Sequence, residues 1–166
     1  MNGTVYFYLS QIIISKILLH NIIQIFTYIV LNINYIKSSP EQSIIKKKFD
    51  VILNLEIIEH VQDVNLFLES CSKMLNKDGI MFVATLNRTF ESYIKAIIGA
   101  EYILRWLPIG THEWSKFLKP QEIQEKLKNL DFENIYLDGF SFNLLTQTWK
   151  KTNDYSVNYI IVSKKN

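Results

Sequence analysis

A strand–helix–strand pattern near the middle of the chain constrains the fold most. Phe49–Leu55 is a mostly continuous apolar run, which is typical of a strand covered on both faces. Asp63 is a predicted helix N-cap, and apolar side chains then recur at three- and four-residue steps through to Leu75. Residues 76–79 predict a turn, and Ile80–Thr85 predicts a second strand. Connections this short predict a βαβ unit with parallel strands, and therefore an α/β fold.

Further elements extend this unit on both sides. Ile33–Ile36 alternates and predicts a short strand, and a helix that Pro120 opens is predicted from about Lys119 to Leu130. Two closing strands are predicted over Phe132–Phe142 and Val157–Val162. A final hairpin on an otherwise parallel sheet indicates a mixed sheet.

The first thirty residues, Met1–Val30, are rich in Ile, Leu, Phe and Tyr, but polar residues interrupt them every few positions. A helix that spans a bilayer needs about 20 mostly apolar residues, so the segment fits one poorly without excluding it. It fits neither a signal peptide nor an Arg-rich transit peptide. Within it, Val5–Leu9 is a candidate strand.

Composition bounds the class of protein. The chain has 166 residues, 48% of them hydrophobic and 20% charged, which suits one folded domain with a core. A formal net charge of +2 is too small to indicate a nucleic-acid partner, and Lys46–Lys48 is interpreted as a solvent-exposed approach to the first strong strand. The single cysteine, Cys71, excludes an internal disulfide and a thiolate metal cage and is predicted to lie in the core.

One cluster of polar residues directly follows the strand Phe49–Leu55. Glu56, Glu59 and His60 stand at i, i+3 and i+4, so on a helical turn they share one face. Open α/β sheets bind ligands beyond the carboxyl ends of their strands, where this turn is expected. Two oxygens and one nitrogen suit a divalent cation with positions left for water or substrate. The spacing alone favours a solvated turn, and the metal site stays open as the alternative at this point.

A second candidate region is the segment Glu91–Leu107, which predicts a helix that ends before Pro108. Its apolar surface is interrupted by three charged residues: Lys95, Glu101 and Arg105. Such a helix fits a membrane interface, where its cations would reach lipid phosphates, or a lid over a pocket. The pattern by itself favours the lid.

Four motifs add a resemblance to a known family. The motifs LEIIEHV, ATLNRT, GAEYILRWLPIGTH and VNYI resemble the ubiquinone-biosynthesis O-methyltransferases. These are class I S-adenosylmethionine-dependent methyltransferases that act on polyprenylated catechol-type intermediates. The resemblance implies a truncated, Rossmann-like mixed α/β sheet, with a helical insertion after the strand that ends near Thr85. We therefore divide the chain into an apolar segment over 1–31 and a partial methyltransferase domain over 32–166, with the insertion at 88–112.

The resemblance also implies roles for individual residues. Glu56, Glu59 and His60 stand where the family binds a divalent metal, with Mg as the expected ion, and we also assign His60 to catalysis. Leu55 stands where the family often has a Met that contributes to the S-adenosylmethionine site, and Leu is a close apolar substitute. Because the family's insertion associates with membranes, Glu91–Leu107 is reinterpreted as a membrane-facing helix. Six residues are assigned to membrane or substrate contact: Ile94, Ile98, Tyr102, Arg105, Trp106 and His112.

The sequence departs from the family at its opening. Class I methyltransferases begin with a strand and a glycine-rich loop, and their second strand ends in an acidic residue that binds the ribose. This chain has five glycines, and no two of them form a G-x-G element. Without those strands, Ile33–Ile36 is expected to have no neighbour to pair with. We therefore expect a truncated relative.

Three interpretations of the function follow. The first is an O-methyltransferase of ubiquinone biosynthesis that uses S-adenosylmethionine and a divalent metal. The second is an inactive remnant that still binds membranes, and the third is a small integral membrane protein anchored by Met1–Val30. The expected partners are a polyprenylated phenolic substrate, a lipid surface and other ubiquinone-biosynthesis enzymes, with no nucleic acid. The expected location is cytoplasmic, peripheral on the inner membrane.

Overall fold

The computed structural model describes residues 4–8, 32–36, 38–42, 46–143, 146 and 148–166. The chain divides into two compact units, Met1–Ile45 and Lys46–Asn166. Apart from the strand described next, the apolar segment Met1–Val30 lies outside the described residues, and so does the membrane anchor considered for it.

The first unit contains a two-stranded parallel sheet. Strand β1 (Thr4–Tyr8) pairs with strand β2 (Asn32–Ile36) in a continuous register from Thr4↔Asn32 to Tyr8↔Ile36. A short 3-10 helix follows at Pro40–Gln42. The expectation that Ile33–Ile36 has no neighbour is therefore wrong. Aromatic and β-branched residues in β1 favour an extended chain, and β1 supplies the hydrogen-bonding partner that β2 needs.

The second unit contains a five-stranded mixed sheet in the order β3-β4-β7-β5-β6. Strands β3 and β4 are parallel, whereas β7 runs antiparallel to both β4 and β5. Strand β6 forms the edge and pairs antiparallel with β5. The mixed α/β sheet is confirmed. The strands span Phe49–Leu55 (β3), Leu75–Leu86 (β4), Phe132–Asn143 (β5), Thr148–Thr152 (β6) and Asn158–Lys165 (β7).

The helices of this unit confirm two predicted boundaries. Helix α1 (Val64–Met74) begins where Asp63 accepts hydrogen bonds from the backbone N–H groups of Asn65 at 2.8 Å and Leu66 at 3.1 Å. Helix α3 (Pro120–Asn129) begins at its proline. The remaining helical segments are α2 (Phe90–Ser92), a π-helix (Tyr93–Ile103) and 3-10 turns at Ile58–His60 and Trp114–Lys116.

The turn predicted at 76–79 is an irregularity inside β4. Leu75 pairs with Phe49 and Ile80 pairs with Val51, so residues 76–79 bulge out opposite the single residue Asp50. Asp78 takes up the bend with a positive φ of 62°. The prediction of a turn at these residues is correct, but the turn lies within one strand, because the residues on both sides of it pair with β3.

The core of the second unit lies between the sheet and helices α1 and α3. It includes Cys71, as predicted, and Ile58 of the 3-10 turn. Tyr159 is buried there, and its hydroxyl donates a 2.7 Å hydrogen bond to the carbonyl of Leu118. Because Ile58 is 1% exposed, the turn that carries Glu59 and His60 is anchored in this core.

The insertion between β4 and α3 is helical, but it differs from the predicted single helix Glu91–Leu107. Most of it has π geometry, and the Leu104 N–H donates to Gly99 O at 2.8 Å, five residues back. Arg105 has a φ of 50°, which ends the helix before Pro108 is reached. Within the described residues, no helix is long and apolar enough to cross a membrane.

Candidate active site

The carboxyl ends of β3 and β4 form the centre of the candidate site. Strand β3 ends at Leu55, and Glu56 turns the chain with a positive φ of 52°. The Glu56 N–H donates a 2.9 Å hydrogen bond to the carbonyl of Ala84 on β4, which holds this bend against the sheet. We predicted that Glu56, Glu59 and His60 lie on one helical turn, and this is wrong for Glu56. The 3-10 turn comprises only Ile58–His60, because the left-handed conformation of Glu56 precedes it.

Glu59 is a buried acid, with 2% of its surface exposed. Its Oε2 accepts a 2.7 Å hydrogen bond from Oγ1 of Thr85, a fully buried residue near the end of β4. Its Oε1 is also buried and has no hydrogen-bond partner among the described residues. Burial raises the pKa of the Glu59 carboxyl, although the Thr85 bond acts in the opposite direction.

Glu56 lies beside Glu59. Burial raises the pKa of Glu56 well above its usual range, and the negative charge of Glu59 raises it further. A proton or a cation therefore stabilises this pair of acids. The unpartnered Oε1 of Glu59 and the adjacent carboxyl group fit a hard divalent ion such as Mg²⁺, which prefers oxygen ligands.

His60 is the third residue of the predicted metal set. It is exposed, and its ring centroid lies 5.9 Å from that of His112, with 31° between the two planes. In the part of the chain that the structure describes, no three His, Cys, Asp or Glu side chains form a metal-binding group. The assignment of a divalent metal to Glu56, Glu59 and His60 therefore stays a prediction.

Leu55 is the last residue of β3 and is partly buried, opposite Ala84 on β4. This is the sheet edge at which open α/β folds bind their ligands. Its assignment to the S-adenosylmethionine site stays a prediction.

Glu101 is a functional candidate that the sequence interpretation missed. It lies in the π-helix, is 1% exposed, and accepts three hydrogen bonds from one loop. Oε1 accepts from the backbone N–H and the ring Nδ1 of His112, both at 2.9 Å, and Oε2 accepts from the backbone N–H of Gly110 at 2.7 Å. One sequence signal could have identified Glu101: a single acid stands in the aliphatic run of the helix, and a histidine follows in the next loop.

His112, one of the six residues assigned to membrane or substrate contact, is partly buried between this carboxylate, the edge of Phe117 and the ring of His60. The other five lie on the surface, and four of them are large apolar residues. The exposed fractions are 43% for Ile94, 37% for Ile98, 53% for Tyr102 and 48% for Trp106, and Arg105 is exposed as well. The insertion therefore combines a polar interior contact with an apolar exterior.

Comparison with known families identifies the domain. A family model described as a methyltransferase domain matches residues 21–137. The chain belongs to the methyltransferase domain family. Its similarity to curated relatives confirms the more specific resemblance. The ubiquinone biosynthesis O-methyltransferase of Pelagibacter ubique (strain HTCC1062) is 57% identical over 136 residues, which cover 82% of this chain and 57% of that protein.

A second relative gives the same result. The protein of the same name from Bartonella bacilliformis (strain ATCC 35685 / KC583 / Herrer 020/F12,63) is 48% identical over 136 residues, covering 81% of this chain and 55% of the relative. This methyltransferase domain thus spans a little over half the length of these two relatives.

Solved structures confirm the fold. The domain matches a SAM-dependent methyltransferase from Archaeoglobus fulgidus with a TM-score of 0.63 at 15% identity, covering 88% of this chain and 81% of that one. It also matches the plantazolicin methyltransferase BpumL, determined with S-adenosylhomocysteine (SAH), with a TM-score of 0.63 at 18% identity, covering 99% and 68%. The predicted class I methyltransferase architecture, with a helical insertion after β4, is therefore correct.

Proposed function

We propose that this domain belongs to an S-adenosylmethionine-dependent O-methyltransferase of ubiquinone biosynthesis, which methylates a hydroxyl of a polyprenylated benzenediol. The observation that carries the proposal is the meeting of two groups from distant parts of the sequence. The acids Glu56 and Glu59 follow β3, and His60 comes directly after Glu59. The ring of His112, which Glu101 holds, has its centroid 5.9 Å from that of the His60 ring. The names of the curated relatives support O-methylation in ubiquinone biosynthesis, and the polyprenylated benzenediol is part of the proposal.

The residues of this site suit the chemistry of O-methylation. The reaction breaks the O–H bond of the substrate and forms an O–CH₃ bond, while the methyl group leaves the sulfur of S-adenosylmethionine. The oxygen attacks well only when its proton is leaving, so the site must hold that proton or stabilise the oxyanion. We assign Glu56 and Glu59 to hold a divalent ion. When bound, that ion would lower the pKa of the attacking hydroxyl and orient it.

We assign His60 to catalysis and Leu55 to the cofactor. His60 is exposed and directly follows Glu59 in the 3-10 turn, which supports a position next to the phenol that the proposed metal would hold. Leu55 ends the strand at the edge of the sheet where this fold binds its ligands.

The exterior of the insertion supports a lipid surface as the partner. Phe90 is 75% exposed, Ile103 71% and Ile109 62%, in addition to the four apolar residues already described. Exposed apolar side chains of this number on one segment are typical of an interaction surface, and a polyprenylated substrate dissolves in the bilayer. We propose peripheral association with the cytoplasmic side of the inner membrane, with other ubiquinone-biosynthesis enzymes as further partners.

The test is isothermal titration of S-adenosylmethionine into the purified chain, with and without Mg²⁺, followed by a methyl-transfer assay on a short-chain prenylated catechol. Micromolar binding and formation of SAH support the enzyme. Glu59→Gln is expected to abolish the effect of Mg²⁺, whereas Glu125→Gln, an exposed residue of α3, is the matched control.

A second candidate function is a catalytically inactive methyltransferase remnant that binds membranes, since the exposed insertion alone would suffice for binding. No detectable cofactor binding by a folded sample favours it. Fusion to the glycine-rich half of a relative then separates the two candidates. Recovered methyl transfer contradicts an inactive remnant, and continued inactivity overturns the enzyme proposal.

A further inference from the structure

We propose that Glu101 is a positioning residue, which holds the imidazole of His112 so that its Nε2 accepts a hydrogen bond from the substrate hydroxyl. This inference rests on the proposed function for the identity of the substrate. The arrangement of Glu101 and His112 can be tested without it.

The first argument is the cost of burying Glu101. A carboxylate removed from water is strongly destabilising unless hydrogen bonds compensate it. Among the described residues, the compensation comes from the loop that holds Gly110 and His112, through two backbone N–H groups and one ring nitrogen. Bonds to an ionised acceptor are about twice as strong as neutral ones, so the loop and the carboxylate fix each other in place.

The second argument is the tautomer of His112. Its Nδ1 lies 2.9 Å from Oε1 of Glu101, and an ionised carboxylate only accepts hydrogen bonds. Nδ1 therefore carries the hydrogen, and in the neutral ring Nε2 is left as the acceptor. Carboxylates orient functional histidines in this way in many sites.

The third argument is the local backbone, which is built for this contact. π-Helical segments occur frequently at functional sites, and this one presents Glu101 toward the interior while its neighbour Tyr102 is exposed. Gly110 has a φ of 84°, a left-handed conformation that favours glycine, and its N–H reaches Oε2 of Glu101. The loop is thus shaped to bring His112 back onto the helix.

The test reads the tautomer directly. In the ¹⁵N-histidine-labelled chain, long-range ¹H–¹⁵N spectra report which ring nitrogen of each histidine carries the hydrogen. The chain has three histidines, so His60→Gln and His112→Gln assign the signals. We expect the Nδ1–H tautomer for His112 in the parent chain and in Glu101→Gln, whose amide oxygen still accepts from Nδ1. We expect the more common Nε2–H form in Glu101→Ala.

An Nε2–H tautomer in the parent chain overturns the proposal, even if Glu101→Ala fails to fold. So does an unchanged His112 spectrum in a folded Glu101→Ala. Glu91→Gln, at an exposed ion pair with Lys95 in the same insertion, is the control and is expected to leave the His112 signals unchanged.

Kinetics then test the link to the substrate. Glu101→Ala is expected to lower kcat about 100-fold, with the KM for S-adenosylmethionine unchanged and activity partly rescued in Glu101→Gln. In Glu101→Ala, the KM for S-adenosylmethionine and the KM for the phenolic substrate could instead rise together, with no activity restored in Glu101→Gln. That result contradicts a positioning role and indicates a merely structural one. If no variant transfers methyl groups, the proposed function fails, while the spectra still decide the role of Glu101.

Discussion

The hydroxyl of Thr85 donates a 2.7 Å hydrogen bond to Oε2 of Glu59, and this bond ties the end of β4 to the turn that follows β3. Both residues are buried, so no water replaces either partner at low cost. The two strand ends that form the candidate site are thus joined by a side-chain bond in addition to the backbone bond from Glu56 to Ala84.

Replacing Thr85 tests the value of this bond. Thr85→Val keeps the shape of the side chain but removes the hydroxyl that donates to Oε2 of the buried Glu59 carboxyl. We expect the free energy of unfolding to fall by about 1–3 kcal/mol in urea titrations. Thr85→Ser keeps the hydroxyl and serves as the control. Equal stability of the Val and Ser variants would show that the bond contributes nothing.

Glu56 should make stability depend on pH. Because burial and the charge of Glu59 raise the pKa of Glu56, the folded state keeps a proton that the unfolded state releases. Stability is then fully present below the ordinary Glu pKa of about 4.3 and is lost as pH rises through the folded pKa. Glu56→Gln removes this ionisation, so its stability relative to the parent chain should increase with pH.

Chemical denaturation at a series of pH values from 4 to 9 measures this difference. The exposed Glu125→Gln is expected to follow the parent chain throughout. A constant offset between Glu56→Gln and the parent chain across the series contradicts the prediction.

The exterior of the insertion should govern vesicle binding. Full burial of an aromatic or aliphatic side chain contributes about 1.5–3 kcal/mol, so the double change Tyr102→Ser and Trp106→Ser is expected to weaken partition onto anionic vesicles at least about tenfold. Ile135→Ser is the control, because Ile135 is 54% exposed on β5, away from the insertion. Cosedimentation measures binding, and equal loss in the control and the double variant would exclude a specific surface.

Gly139 on β5 should not tolerate a side chain. A Cβ there would lie 1.8 Å from the backbone oxygen of Asp154. A backbone atom cannot rotate away as the end of a flexible side chain can. Gly139→Ala is therefore expected to destabilise the domain by several kcal/mol or to prevent folding. Gly99→Ala, whose nearest contact would be 3.4 Å, should remain close to the parent chain in melting temperature. A Gly139→Ala protein of parent stability would show that β5 shifts freely.

The elements that could be predicted are those whose signal is local. Three such elements each depend on a few adjacent residues, and all three are present. They are the strand Phe49–Leu55, the Asp63 cap and the helix that begins at Pro120. Strand β6 could not be predicted, because its residues are almost all exposed and lack an apolar alternation.

The remaining errors concern contacts between distant residues and one local backbone conformation. The pairing of β2 depends on β1, which precedes it by more than twenty positions, and no local pattern reports such a partner. In the site, the spacing of Glu56, Glu59 and His60 assumed helical geometry, which the left-handed Glu56 breaks. The contact between Glu101 and His112 joins a helix to a loop, and the sequence shows the two residues without showing that they meet.

The π geometry of Tyr93–Ile103 has a consequence for how this segment tolerates change in evolution. In a helix of this kind, deleting one residue rotates everything beyond the deletion by roughly a quarter of a turn about the axis. Such a deletion before Glu101 would turn its carboxylate out of the interior and bring an apolar neighbour inward. Outer residues such as Ile98 and Tyr102 can be exchanged for other apolar residues without this effect. We therefore expect the outer residues of this segment to vary among apolar side chains, whereas its length and Glu101 are expected to be kept.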